Sequence, residues 1–131
     1  CYTHPMTIAE KELEHILEKY SSGYCIWLTL ALHDKYGWDI HAQIDFIENR
    51  HEKYRYVSHS FVTMPNGYEV DIYGPQEMVD RFTSNVVKLN RKQFIDLIGE
   101  SNPESDIEFE YQEVKEEVDS IIELLLEPMF V

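Results

Sequence analysis

His59-Ser60-Phe61-Val62-Thr63-Met64-Pro65-Asn66-Gly67-Tyr68-Glu69-Val70-Asp71-Ile72-Tyr73 is the stretch that decides the fold. Residues 54 to 64 and 68 to 73 are rich in β-branched and aromatic residues, and Pro65-Asn66-Gly67 separates them, so the stretch reads as an antiparallel hairpin. Proline suits the second position of a type I turn, asparagine the third, and glycine the left-handed bulge position that follows. A three-residue loop of this kind pairs Met64 with Tyr68, Phe61 with Asp71 and His59 with Tyr73. His59, Phe61, Asp71 and Tyr73 then share one face, with His59 and Asp71 diagonal neighbours. A two-residue turn at Asn66-Gly67 would shift the register by one and send His59 and Asp71 to opposite faces.

Upstream of the hairpin, residues 40 to 47 alternate as Ile40, Ala42, Ile44 and Phe46, the period of a strand. Residues 24 to 36 are apolar nearly all round, which marks a buried helix, and Gly37 is suited to stop it. Residues 7 to 20 carry Ile8, Leu13, Ile16, Leu17 and Tyr20 at near-helical spacing behind a capping-box pattern, Thr7-Ile8-Ala9-Glu10. Downstream, the pattern predicts a short helix over 76 to 83 with Met78, Val79 and Phe82 inward, and a brief strand over 86 to 89. A helix capped by Asn90 and ended by Gly99 follows, then an exposed linker over 100 to 106. A last helix over 112 to 127 carries Val114, Val118, Ile121, Ile122 and Leu125 on one stripe. The fold class expected is α+β in a single domain. A buried helix of the N-terminal half packs on a small antiparallel sheet, residues 7 to 99 form the core, and a helical extension over 107 to 131 packs on it.

The chemistry centres on Gly23-Tyr24-Cys25-Ile26-Trp27, which opens the buried helix. Unpaired N–H groups and the macrodipole at a helix N-terminus favour negative charge, so the expected effect on Cys25 is a lowered pKa and a nucleophilic thiolate. His59 is the candidate base and Asp71 the candidate orienting carboxylate. Cysteine is also among the most buried residue types, so the alternative reading of Cys25 is a small core residue. Asp71 within Val70-Asp71-Ile72 is harder to place without a partner, because a carboxylate on an inward strand face needs one. Tyr24, Trp27 and Tyr73 are candidates for a substrate-binding rim, or for core.

With 25 acidic against 11 basic residues the net charge is −14, which argues against direct nucleic-acid binding and against anionic membrane surfaces. The same charge fits a soluble surface, or a protein that occupies the basic site of a partner protein. Two cysteines, Cys1 and Cys25, are too few for a disulfide framework, and no run approaches membrane-spanning length, so a cytoplasmic location is expected. Cys1 reads as incidental at a terminus. No phosphate-binding glycine loop and no CxxC pair occurs, and the histidines lack zinc-ligand spacing, so neither a cofactor nor a metal is expected.

Gly23-Tyr24-Cys25 with Ala31 and Leu32, His59-Ser60-Phe61-Val62, Asn66-Gly67-Tyr68 and Val70-Asp71 together resemble the papain-like thiol hydrolase superfamily, and within it the transglutaminase-like core. The resemblance covers about residues 21 to 75 and implies a papain-like or transglutaminase-like fold. It implies that Cys25 attacks a carbonyl carbon, His59 takes the thiol proton and later protonates the leaving group, and Asp71 orients the imidazole. The activity implied is hydrolysis or acyl transfer at an amide of a protein or peptide substrate, as in a peptidase, a deamidase or a deconjugating enzyme. The Cys25 N–H is one candidate oxyanion donor. Residues 17 to 22 read Leu-Glu-Lys-Tyr-Ser-Ser, without the side-chain amide that papain-like peptidases place before the cysteine, which leaves Tyr20, Ser22 or a more distant group for the second donor. The alternative expectation is a non-catalytic acidic binding or inhibitor protein on the same fold.

Overall fold

A computed structural model describes the backbone over residues 3 to 77 and 85 to 130, and the side chains over 11 to 77 and 85 to 130. Among the described residues the chain is α+β. The helices are α1 (Thr3–Tyr20), α2 (Cys25–Tyr36), α3 (Arg91–Ser101) and α4 (Ile107–Ile121), and the strands are β1 (Asp39–Glu48), β2 (Lys53–Thr63), β3 (Glu69–Asp71), β4 (Gly74–Gln76) and β5 (Val86–Leu89). The strands form one antiparallel sheet in the order β4-β3-β2-β1-β5.

The hairpin adopts the three-residue loop. Val62 pairs with Val70 and Thr63 with Glu69, Met64 N–H bonds the Tyr68 carbonyl at 2.8 Å, and Gly67 N–H bonds the Met64 carbonyl at 2.8 Å. Gly67 has φ 90°, the left-handed value that this bulge requires. The expected pairing of His59 with Tyr73 does not form, because β3 ends at Asp71. The Asp71 carboxylate accepts the Tyr73 N–H at 2.9 Å, and the chain reverses to pair Asp71 with Gly74. Gly74 has φ 92°, a left-handed value that favours glycine at the start of β4, where Met129 Sδ packs over it. Residues 74 to 76 are thus an edge strand rather than the lead into a helix, and an edge tolerates Pro75, which has no N–H to donate. The helix predicted over 76 to 83, with Met78, Val79 and Phe82, otherwise lies outside the described residues.

The helices pack on one face of the sheet. Ile40, Ala42, Val62 and Val70 from the strands and Ile72 from the β3–β4 turn meet Leu28, Leu30, Ala31 and Leu32 of α2, Phe94 and Ile98 of α3, and Val118 and Ile122 of the C-terminal helix in one core. The spread of apolar residues nearly all round α2 follows from this, since the sheet covers one side and α4 the other. Gly37 at φ 74° ends α2 as expected, its N–H bonding the His33 carbonyl at 2.7 Å.

Three boundaries differ from expectation. α1 starts at Thr3, so Thr7 lies inside the helix; Pro5 falls in the first turn, where its missing N–H leaves no helical bond unmade. α3 runs through Gly99 to Ser101, because the Asn102 amide and the Ser101 hydroxyl take the Ile98 carbonyl. Asp106 caps α4 through the Phe109 N–H at 3.1 Å, which starts that helix five residues before the expected 112; it continues into a π turn, Ile122–Leu126, and a 3-10 turn, Glu127–Met129. The expected cap at Asn90 is present as a full capping box with Gln93. Arg91, the next residue, ties three helices together by reaching Asp34 of α2 at 2.8 Å and Glu108 of α4.

Candidate active site

Register and alternation place the site. In β2, Ser60 and Val62 face the helices, so His59 and Phe61 face the other way. His59 Nε2 lies 3.8 Å from Asp71 Oδ2, so the structure brings these two predicted residues together on one face. That separation is longer than a hydrogen bond and is an ion pair only when the imidazole is protonated. The other carboxylate oxygen, Oδ1, accepts both the Tyr73 N–H at 2.9 Å and the Gln76 side-chain amide at 3.0 Å. Two donors therefore fix the Asp71 plane and leave Oδ2 toward the imidazole.

Phe61 forms the floor of this face. His41 stacks on it with ring centroids 5.4 Å apart, and His59 tilts over it at 6.0 Å. His41 is held by a 2.9 Å hydrogen bond between its Nδ1 and Thr63 Oγ1, and burial pushes its imidazole below the ordinary value.

Cys25 arrives from the opposite side of β2. Backbone groups alternate along a strand, so Ser60, like Val62 and Met64, turns its N–H and carbonyl toward the β3 side. Val62 meets Val70 there, and among the described residues β2 pairs with β3 no further than this, so Ser60 lies at an edge. The Cys25 thiol fills that edge, and the Ser60 hydroxyl donates to Sγ at 3.7 Å. Thr29, one turn along α2 on the same helix face, bonds the Ser60 hydroxyl at 2.8 Å and fixes its direction. The structure thus brings His59 and Asp71 together on one face, while Cys25 reaches β2 at Ser60 on the helix side.

The protonation state differs from the helix-terminus expectation. Burial, with Cys25 4% exposed, pushes the thiol above its usual value. The Ser60 hydroxyl and N–H and the N–H groups of Cys25 and Ile26 pull it down, but not enough to offset desolvation. Cys25 is therefore a protonated thiol near neutral pH, and a base is needed to activate it.

The oxyanion expectations also change. The Cys25 N–H is already donated to the Ser22 carbonyl at 3.1 Å. The Tyr20 hydroxyl is committed to Glu117 at 2.8 Å, and the Ser22 hydroxyl to the Glu18 carbonyl at 3.0 Å. Among the rim candidates, Trp27 is core: it is 8% exposed and stacks on Tyr111 at 6.3 Å, because position 27 turns inward under α4. Tyr24 and Tyr73 are exposed, Tyr24 against Tyr20 with Lys19 over its ring and Tyr73 beside Asp71.

Sequence reasoning missed Ser60 and Gln76. Ser60 was detectable as the residue after His59, which alternation must send to the helix side; Gln76 was hidden because it read as the start of a helix rather than the end of β4. Among the described residues no group of three or more His, Cys, Asp or Glu could hold a metal ion, and no helix is long and apolar enough to cross a membrane. Comparison with protein-family models, with curated proteins and with solved structures finds no match for this chain.

Proposed function

We propose that the chain is a small thiol-dependent amide hydrolase or acyl transferase on a papain-like or transglutaminase-like fold, with Cys25 as nucleophile, His59 as base and Asp71 as its orienting group. One observation carries the reading: a thiol at a helix N-terminus meets β2 at the residue next to a histidine whose Nε2 faces a doubly anchored carboxylate. In this reading Nδ1, the imidazole nitrogen turned away from Asp71, takes the thiol proton. Sγ then bonds the substrate carbonyl carbon, and the proton passes from His59 to the leaving amine as the C–N bond breaks. Water or a second amine, deprotonated by His59, releases the acyl group and restores the thiol.

The raised thiol pKa fits general-base activation rather than a standing thiolate–imidazolium pair. The acidic surface favours a basic protein or peptide substrate through steering. The burial of Cys25 favours a second reading, the non-catalytic acidic binding protein on the same fold. A panel of lysine-rich peptide amides separates the two. The enzyme reading expects ammonia or amine release that Cys25→Ser lowers at least about a hundredfold; equal release by Cys25→Ser and the parent protein contradicts it.

A further inference from the structure

Away from the thiol, α1 and α4 leave a groove of about 750 Å³ between them. Its apolar floor includes Leu13, Ile16 and Leu124, with Leu13 38% and Leu124 74% exposed. Its rim includes Glu12 from α1 and Glu113 and Glu116 from α4. The Lys19–Glu117 ion pair at 3.0 Å fixes the two helices against each other beside it.

A groove between two helices takes a third helix by ridges-into-grooves packing. Leucines this exposed are unfavourable in water, and their burial rewards an apolar partner face. Carboxylates on both walls then select for cations flanking that face. A second copy of this chain is the wrong partner, because it brings the same acidic rim and a net charge of −14.

We infer that the α1/α4 groove is a docking site for an amphipathic helix of a partner protein, its apolar stripe seated between Leu13 and Leu124 and its lysines or arginines on the glutamate rim. The site shares no residue with Cys25, His59 and Asp71 and does not rest on their chemistry.

The probe is a fluorescein-labelled amphipathic Leu/Lys helix of about five turns, or roughly 18 residues, with a Leu/Glu helix and a Ser/Lys peptide of equal length beside it. Fluorescence anisotropy is expected to show saturable binding of the Leu/Lys peptide alone, weakening as salt rises. Leu124→Ser, at a mostly exposed position that leaves the core intact, is expected to weaken binding about tenfold or more. Glu116→Lys is expected to weaken it similarly, while Glu48→Lys, the same charge change on the β1–β2 hairpin, changes it less than about twofold. Absence of Leu/Lys binding, equal binding by Leu124→Ser, equal weakening by Glu48→Lys, or equal binding of the Ser/Lys peptide overturns the inference. So does sedimentation showing a dimer that Leu124→Ser dissociates, since the groove is then filled by a second copy.

Discussion

His59→Ala is expected to slow alkylation of Cys25 by iodoacetamide at neutral pH by about a hundredfold, the lower end of what a positioned general base contributes. The thiol is buried and its pKa lies above the ordinary value because desolvation outweighs the helix N–H groups and Ser60. At neutral pH the thiolate is therefore scarce unless a base removes the proton. Without the imidazole, labelling should climb only as the pH rises through the alkaline range above the usual thiol value, the sign that a raised pKa requires. Mass spectrometry of the carbamidomethylated protein across pH reads both effects. Circular dichroism checks that the variant is folded, which is expected because His59 lies on the face away from the helical core.

Leu30→Ala is expected to be the most destabilising of the simple truncations. Leu30 is fully buried in the middle of α2, between the sheet and the C-terminal helix. Truncation loses its burial and opens a cavity that neither layer can close, at about 3–5 kcal/mol. Domains of this kind hold only about 5–15 kcal/mol in total, so a large share of the stability goes. Urea unfolding should show a lower midpoint with an unchanged slope. The same helix carries Cys25 and Thr29, so a loosened α2 also releases the thiol from Ser60, and alkylation should lose its dependence on His59.

The hairpin was the most legible part of the molecule. Pro65, Asn66 and Gly67 each fit one position of one turn type, and that turn determines which face His59 and Asp71 share. Gly37 and Asn90 were legible for the same reason, since each serves a helix end through its own backbone or side chain. What local reading could not supply was tertiary. The reversal after Asp71 depends on the carboxylate bonding Tyr73 N–H, on Gln76 and on Gly74 fitting beneath Met129, a residue far along the chain. Trp27 read as a candidate for the rim, and it is buried because α4 covers it, while Cys25 is buried against β2 at Ser60. The helix-terminus argument gave the right local field for the thiol and the wrong sign for its pKa, since burial is not visible in five residues of sequence.

The central claim is that Cys25, His59 and Asp71 act as one unit, and a double-mutant cycle tests it most directly. Cys25 alkylation at neutral pH is compared for the parent protein, His59→Ala, Asp71→Asn and the double variant. The account predicts that Asp71→Asn slows labelling about tenfold or more when His59 is present and has no further effect when it is absent, because Asp71 acts only through the imidazole. Equal slowing by Asp71→Asn in both backgrounds, or no slowing by either single change, would contradict it.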